Sequence, residues 1–220
     1  MTEFFRWDWV VDNLDDVWLA LGEHFYLTLL AVVVGFLISF PLAIYVFRHR
    51  KLYGPVTAVA GILYTIPSLA LFAVLIPITG LASTLTAEIP LVIYTLLILI
   101  RNIVAGLDEV SDDVKEAARG MGYTDRQLLW KVELPLAMPT IVAGLRIATV
   151  TTIGLVTVTA IIGKGGFGYF ILLGLTRTFS TAILLGAVLS FVFAVIADVA
   201  LLRIERFLTP WTRRKAGALA

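Results

Sequence analysis

The chain contains no cysteine, which excludes a disulfide framework, a thiolate metal site and a cysteine nucleophile. Its two histidines, His24 and His49, are too few and too far apart for a histidine metal cluster. Charge is scarce as well: 15% of the 220 residues are charged, against about 25% in an ordinary soluble domain. The 17 basic and 16 acidic residues leave a formal charge of +1, so nothing global points to nucleic acid or to an acidic partner. What is abundant is apolar. At 60% hydrophobic the chain does not fit a soluble globule, and it is better counted in membrane spans of about 20 residues each.

Long apolar runs lie at roughly 25–47, 56–78, 88–107, 138–162 and 181–203. Each is near the ~20 residues that cross a ~30 Å hydrocarbon core as a helix. In lipid every backbone N–H and C=O must be satisfied within the segment, and runs such as LLAVVVGFLISF lack the alternation of a barrel strand. The expectation is an all-α integral membrane protein with five transmembrane helices, its membrane unit covering 25–207. Lysine and arginine set its orientation. Arg48, Arg50 and Lys51 follow the first run, Arg101, Lys115, Arg119, Arg126 and Lys131 surround the gap after the third, and Arg203, Arg206, Arg213, Arg214 and Lys215 crowd the end. Only Arg6, Lys164 and Arg177 stand on the other side, so the positive-inside rule puts the N-terminus outside and the C-terminus in the cytoplasm. Residues 208–220 read as a basic cytoplasmic tail.

Residues 1–24 are acidic through Glu3, Asp8, Asp12, Asp15, Asp16 and Glu23, the reverse of a signal peptide's basic start. Val10, Leu14, Val17, Trp18 and Leu21 recur at helical spacing behind Trp7 and Trp9, which predicts a helix lying in the outer interface.

The gap between the third and fourth runs, 108–137, is the one long polar segment inside the membrane unit and reads as two short helices. Asp112 or Asp113 can cap the first, with Glu116 at capping-box distance from Asp113, and Gly120 or Gly122 can supply the left-handed residue that ends it. Thr124 with Gln127 forms a second capping box, opening a helix through Leu128, Leu129 and Val132 that is expected to stop near Pro135. The small residues Ala117, Ala118, Gly120 and Gly122 leave room for another protein's surface to approach the backbone, and Leu128, Leu129 and Trp130 offer an apolar ridge. A solvated connection folded back on the span ends is the alternative.

Glu116, Ala117, Ala118, Gly122, Val132, Leu134 and Pro135, at this spacing, resemble the Glu-Ala-Ala signature of permease subunits in binding-protein-dependent ATP-binding-cassette importers; Val132 stands where isoleucine is usual. The stretches YTIPSLALFAVLIP, LIRNIVAGL and GKGGFGYFILLGL look like the quaternary-amine branch, which imports glycine betaine, carnitine, choline or proline betaine. Methionine and other amino-acid importers share the five-span plan and are the alternative. The resemblance implies a type I importer permease in a bacterial inner membrane. It implies coupling helices that dock on a cytoplasmic ATP-binding subunit, a second permease copy or paralogue, and an extracytoplasmic substrate-binding protein. Such a chain is not an enzyme and holds no cofactor; ATP and magnesium belong to the partner ATPase.

The sequence offers no energy source of its own. In GKGGFG no Ser or Thr follows the lysine and no strand precedes it, so a tight turn with a short helix over 169–175 is expected in place of a phosphate loop. A secondary transporter would need ionisable groups within the spans; the candidates are Arg101, Arg146 and Asp198. Counting along the helices places Arg146 and Asp198 at equal depth, which predicts a structural ion pair between spans, with Arg101 as second choice for the aspartate. Pro67 lacks an N–H and Pro77 repeats the break, so the carbonyls of Leu63 and Ala73 lose their helical donors. Broken backbone at membrane depth is tolerated where protein or a watery cavity surrounds it. Tyr64, Thr65, Pro67 and Ser68 are therefore candidate path residues, with Tyr94 beside them; kinks for packing are the alternative.

Overall fold

The computed structural model describes residues 5–212, so Arg213, Arg214 and Lys215 of the expected basic tail lie outside the described residues. The described residues form ten α-helices and short 3₁₀ and π turns: α1 Trp7–Asp12, α2 Leu14–Arg48, α3 Tyr53–Thr65, α4 Ser68–Thr79, α5 Thr84–Asp108, α6 Asp112–Gly120, α7 Asp125–Leu128, α8 Leu134–Val158, α9 Gly168–Arg177 and α10 Ser180–Leu208. Four helical stretches are long and apolar enough to cross a membrane, Leu14–Arg48, Thr84–Asp108, Asp125–Ile162 and Ser180–Leu208. The pair Arg50–Thr65 and Ser68–Thr79, bent by 87°, supplies a fifth where it is taken as one span.

Two boundaries differ from the sequence expectation. The first spanning helix already begins at Leu14, with Asn13 alone between it and α1. Residues 14–24 are therefore its first turns and not a separate helix. Its 35 residues reach about 52 Å at 1.5 Å per residue, well beyond a hydrocarbon core. The second short helix of the polar segment does not stop at Pro135. It passes through a π turn at Leu129–Glu133 into α8, so that Asp125–Ile162 runs without interruption. A proline ring in a regular helix meets the carbonyl four residues back; the wider π turn loosens that contact, and Pro135 falls in the first turn of α8.

Helix α5 forms the centre of the bundle, with α2 and α8 along its flanks, while α10 covers α8 and α9. Close approach requires glycine at two crossings. A Cβ on Gly35 would lie 1.9 Å from Thr95 Oγ1, and one on Gly144 would lie 2.3 Å from Asn102 Cβ. Spans gain little hydrophobic drive from meeting in lipid, and such close contact is what holds them. Near the end that carries Arg48 and Arg50, hereafter the basic end, Val46, Leu99, Ile103, Leu107, Ala137 and Ile141 pack together. Leu27, Phe72, Leu91, Val156 and Ile162 form a second cluster.

Candidate coupling and translocation sites

At the basic end the polar segment folds into an elbow. Ser111 is the N-cap of α6, and Asp112 and Asp113 occupy its first two positions rather than the cap itself. Their carboxylates there favour the positive end of the helix dipole. Gly122 closes the helix at φ +84°, with its N–H donating to the Arg119 carbonyl at 2.9 Å and that of Tyr123 to Ala118 at 3.2 Å. The second capping box forms as expected: the Thr124 N–H donates to Gln127 Oε1 at 2.9 Å, and the Gln127 N–H to Thr124 Oγ1 at 3.3 Å.

This geometry divides the signature residues by the side they face. Glu116, Ala117, Gly120 and Gly122 are exposed, and Met121 beside them is 72% exposed. Ala118 is buried at 2% and Leu134 at 5%, with Val132 and Pro135 half-buried. The expected apolar ridge is not formed: Leu128 and Leu129 turn inward, and exposed Trp130 lies 6.3 Å from the Phe40 ring, against the first span. The free face of the elbow is therefore the small-residue face tipped by Met121. Several contacts brace it. Arg48 Nη2 donates to Glu133 Oε2 at 3.0 Å, Thr140 to Glu109 at 2.6 Å, and Arg50 pairs with Asp108.

The chain breaks at Ile66 and Pro67, both extended, between α3 and α4. The Leu63 carbonyl expected to lose its donor receives the Ile66 N–H at 3.3 Å, and the Tyr94 hydroxyl donates to the Ile66 carbonyl. Tyr64 packs edge-on to Tyr94 with centroids 5.6 Å apart. The structure thus gathers Tyr64, Thr65, Pro67, Ser68 and Tyr94 around one bend, with Tyr64, Thr65 and Pro67 exposed and Tyr94 buried. Pro77 does not repeat the break; it lies inside α4, which continues to Thr79.

Between α8 and α10, Arg146 grips Asp198 with two parallel bonds, Nε to Oδ1 at 2.8 Å and Nη2 to Oδ2 at 3.0 Å. Glu205, two turns on along α10, lies 3.5 Å from Nη1 and was not anticipated. Arg101, the second choice for Asp198, is exposed on α5 and takes no part in this pair.

At the opposite end the glycine-rich loop packs on α2. The Gly166 N–H donates to Glu23 Oε2 at 3.0 Å, the Phe167 N–H to His24 Nδ1 at 3.3 Å, and His24 Nε2 meets the Ile153 carbonyl at 3.1 Å. An imidazole accepting at Nδ1 and donating at Nε2 satisfies both partners with one proton. The Gly166 and Phe167 amides are thus already bonded, and the short helix that follows spans Gly168–Arg177. Gly166 sits at φ +49°, where an added Cβ would lie 2.5 Å from His24 Cβ and 2.7 Å from the Ala20 carbonyl. Gly166→Val is expected to cost about 2–5 kcal/mol, lowering the detergent-solubilised thermal midpoint by roughly 4–20 °C. Gly154→Ala, where a Cβ meets nothing within 4 Å, is the control that leaves it in place.

Sequence reading also passed over Glu88. It lies one turn into α5, 6% exposed, with neither carboxylate oxygen hydrogen-bonded among the described residues. Among the described residues no group of three or more His, Cys, Asp or Glu side chains is placed to hold a metal ion.

Residues 27–210 match the family model described as binding-protein-dependent transport system inner membrane component. The chain is 39% identical over 196 residues to the glycine betaine/carnitine/choline transport system permease protein OpuCD of Bacillus subtilis, covering 89% of this chain and 85% of that one. It is 35% identical over 206 residues to the osmoprotectant import permease protein OsmW of Salmonella typhimurium, covering 92% and 96%. Among solved structures, the inward-facing MetNI methionine ABC transporter superposes with a TM-score of 0.76 at 27% identity, over 85% of this chain and 93% of that one.

Proposed function

Since the chain belongs to the binding-protein-dependent transport system inner membrane component family, we propose that it is the pore-forming permease of an ATP-driven importer for osmoprotectants of the glycine betaine, carnitine and choline class. The observation that carries the reading is the elbow: Glu116, Ala117, Met121 and Gly122 are presented on a free face while Arg48 and Glu133 tie the same segment to the bundle. A face of small residues lets a partner approach the backbone, and the tie gives that partner something rigid to move.

In this reading the basic end faces the cytoplasm and receives an ATP-binding subunit. The opposite end receives a substrate-loaded binding protein, and a second permease completes the pore across the bend at Ile66 and Pro67. ATP shifts the pore between inward- and outward-facing forms only by the difference in its affinity for the two. Tyr64, Thr65 and Ser68 line the route, and Tyr94 holds the bend open by occupying the carbonyl that the helix break leaves without a helical donor. Arg146 and Asp198 neutralise each other and are read as structural, which leaves little for an ion-coupled carrier to use.

The test is uptake into vesicles holding the permease with its ATPase. Accumulation of glycine betaine or choline that requires both ATP and the binding protein supports the reading; uptake without either overturns it. A methionine importer, favoured by the likeness to MetNI, is separated by binding titrations on the cognate extracytoplasmic receptor.

A further inference from the structure

Helix α2 ends in a fork. Arg48 is its last residue, and one guanidinium nitrogen, Nη2, donates both to Glu133 Oε2 at 3.0 Å and to the Asp125 carbonyl at 3.3 Å. Asp125 opens α7 and Glu133 closes the π turn, so this one side chain holds both ends of the elbow's second arm. The Glu133 side chain is 2% exposed and its ion partner is Arg48. An ionised carboxylate so placed is strongly disfavoured without its cation. Among the described residues no other hydrogen bond joins α2 to this arm; Arg50 with Asp108 and Thr140 with Glu109 join other parts of the basic end. At the far end of the same helix, Glu23 and His24 hold the glycine-rich loop and the Ile153 carbonyl of α8.

We propose that Arg48 is a positioning residue for transport, the latch through which displacement of the elbow is passed to the first span and along it to the glycine-rich loop. The inference rests on the docking reading above and adds to it the route by which motion enters the spans. A π turn at the gripped position suits this role, because single π turns inside α-helices are frequently found at functional sites.

The latch is tested in vesicles containing the complete importer, reading solute taken up per ATP hydrolysed, basal ATP hydrolysis and the thermal midpoint. Arg48→Gln and Glu133→Gln are expected to lower solute per ATP about tenfold, within the usual span of coupling energies, while basal hydrolysis stays near wild type. The exchange Arg48→Glu with Glu133→Arg is expected to restore most of it. Buried ion pairs are often replaced by apolar residues without loss of stability. The double variant Arg48→Met with Glu133→Leu should therefore melt like wild type yet stay uncoupled, which decides the matter even where the single variants fold poorly. Wild-type solute per ATP in that double variant, or no recovery in the exchange, overturns the latch. Ala117→Trp on the free face separates the two levels of the argument. If it abolishes ATPase binding while the Arg48 variants keep wild-type stoichiometry, the latch alone falls; if it changes nothing, the docking reading falls and the latch with it.

Discussion

Ala117→Trp is expected to lower binding of the ATP-binding subunit by at least about a hundredfold, the size of a single moderate interface hot spot, while the permease itself melts as before. The effect is steric and local. Ala117 lies exposed on α6, flanked by exposed Glu116 and by Gly120 and Met121 a turn further on. An indole there projects beside Gly120, where the backbone is open, and it holds the partner away from that backbone. Ala118, its neighbour, is the instructive contrast: it is 2% exposed, so a tryptophan in its place overpacks the elbow at a cost of about 1–3 kcal/mol and reduces coupling by deforming the segment. Gly122→Val is a third case, since valine at φ +84° carries a left-handed backbone penalty of about 1–2 kcal/mol. Pull-down affinity of the ATPase, set beside thermal melts of the permease alone, distinguishes the three. Docking by the small-residue face requires lost binding with an unchanged melt at 117, and lowered melts at 118 and 122. Unchanged binding at 117 would remove the face from the partner's footprint.

The sequence carried more of this fold than of its faces. Four of the five apolar runs lie in long helices and the remaining one in a pair bent by 87°; length and continuity of hydrophobicity are one-dimensional properties, and the backbone's need for internal hydrogen bonds then permits only helices. The Thr124–Gln127 box was legible for a similar reason: its partners are three residues apart and its geometry is local. What could not be read was which side of a short helix meets the bundle. Leu128 and Leu129 looked like a ridge for a partner, and tertiary packing turned both inward. Pro135 looked like a stop, and the π turn ahead of it carried the helix through. Residue types alone give no register for a turn that changes hydrogen-bonding pattern. Glu88 was hidden in another way. It opens an apolar run, where an acid reads as a boundary residue, and only the packing of α5 shows it enclosed. Arg48 and Glu133 lie 85 residues apart, and no spacing rule joins them.

The second large effect is expected at Arg146. Arg146→Glu places a carboxylate opposite Asp198 and Glu205, where the guanidinium now holds Asp198 at 2.8 and 3.0 Å and lies 3.5 Å from Glu205. The pair is 26% and 36% exposed, so removing one member costs less than the ~3–5 kcal/mol of a fully buried pair, and reversal adds repulsion to that loss. The expected outcome is a permease that is synthesised but does not accumulate in assembled form, judged by size-exclusion of the solubilised complex. Asp198→Arg should fail in the same way, because it faces Arg146 with a like charge. The exchange of both, Arg146→Asp with Asp198→Arg, should recover assembly in large part. Recovery will be incomplete, because Glu205 on α10 also faces position 146, and the exchanged aspartate would meet it. Adding Glu205→Gln to the exchange removes that conflict and should bring assembly closer to wild type. A triple variant no better than the single reversals would mean that Arg146 is held by something other than α10's acids, and the α8–α10 packing would need another explanation.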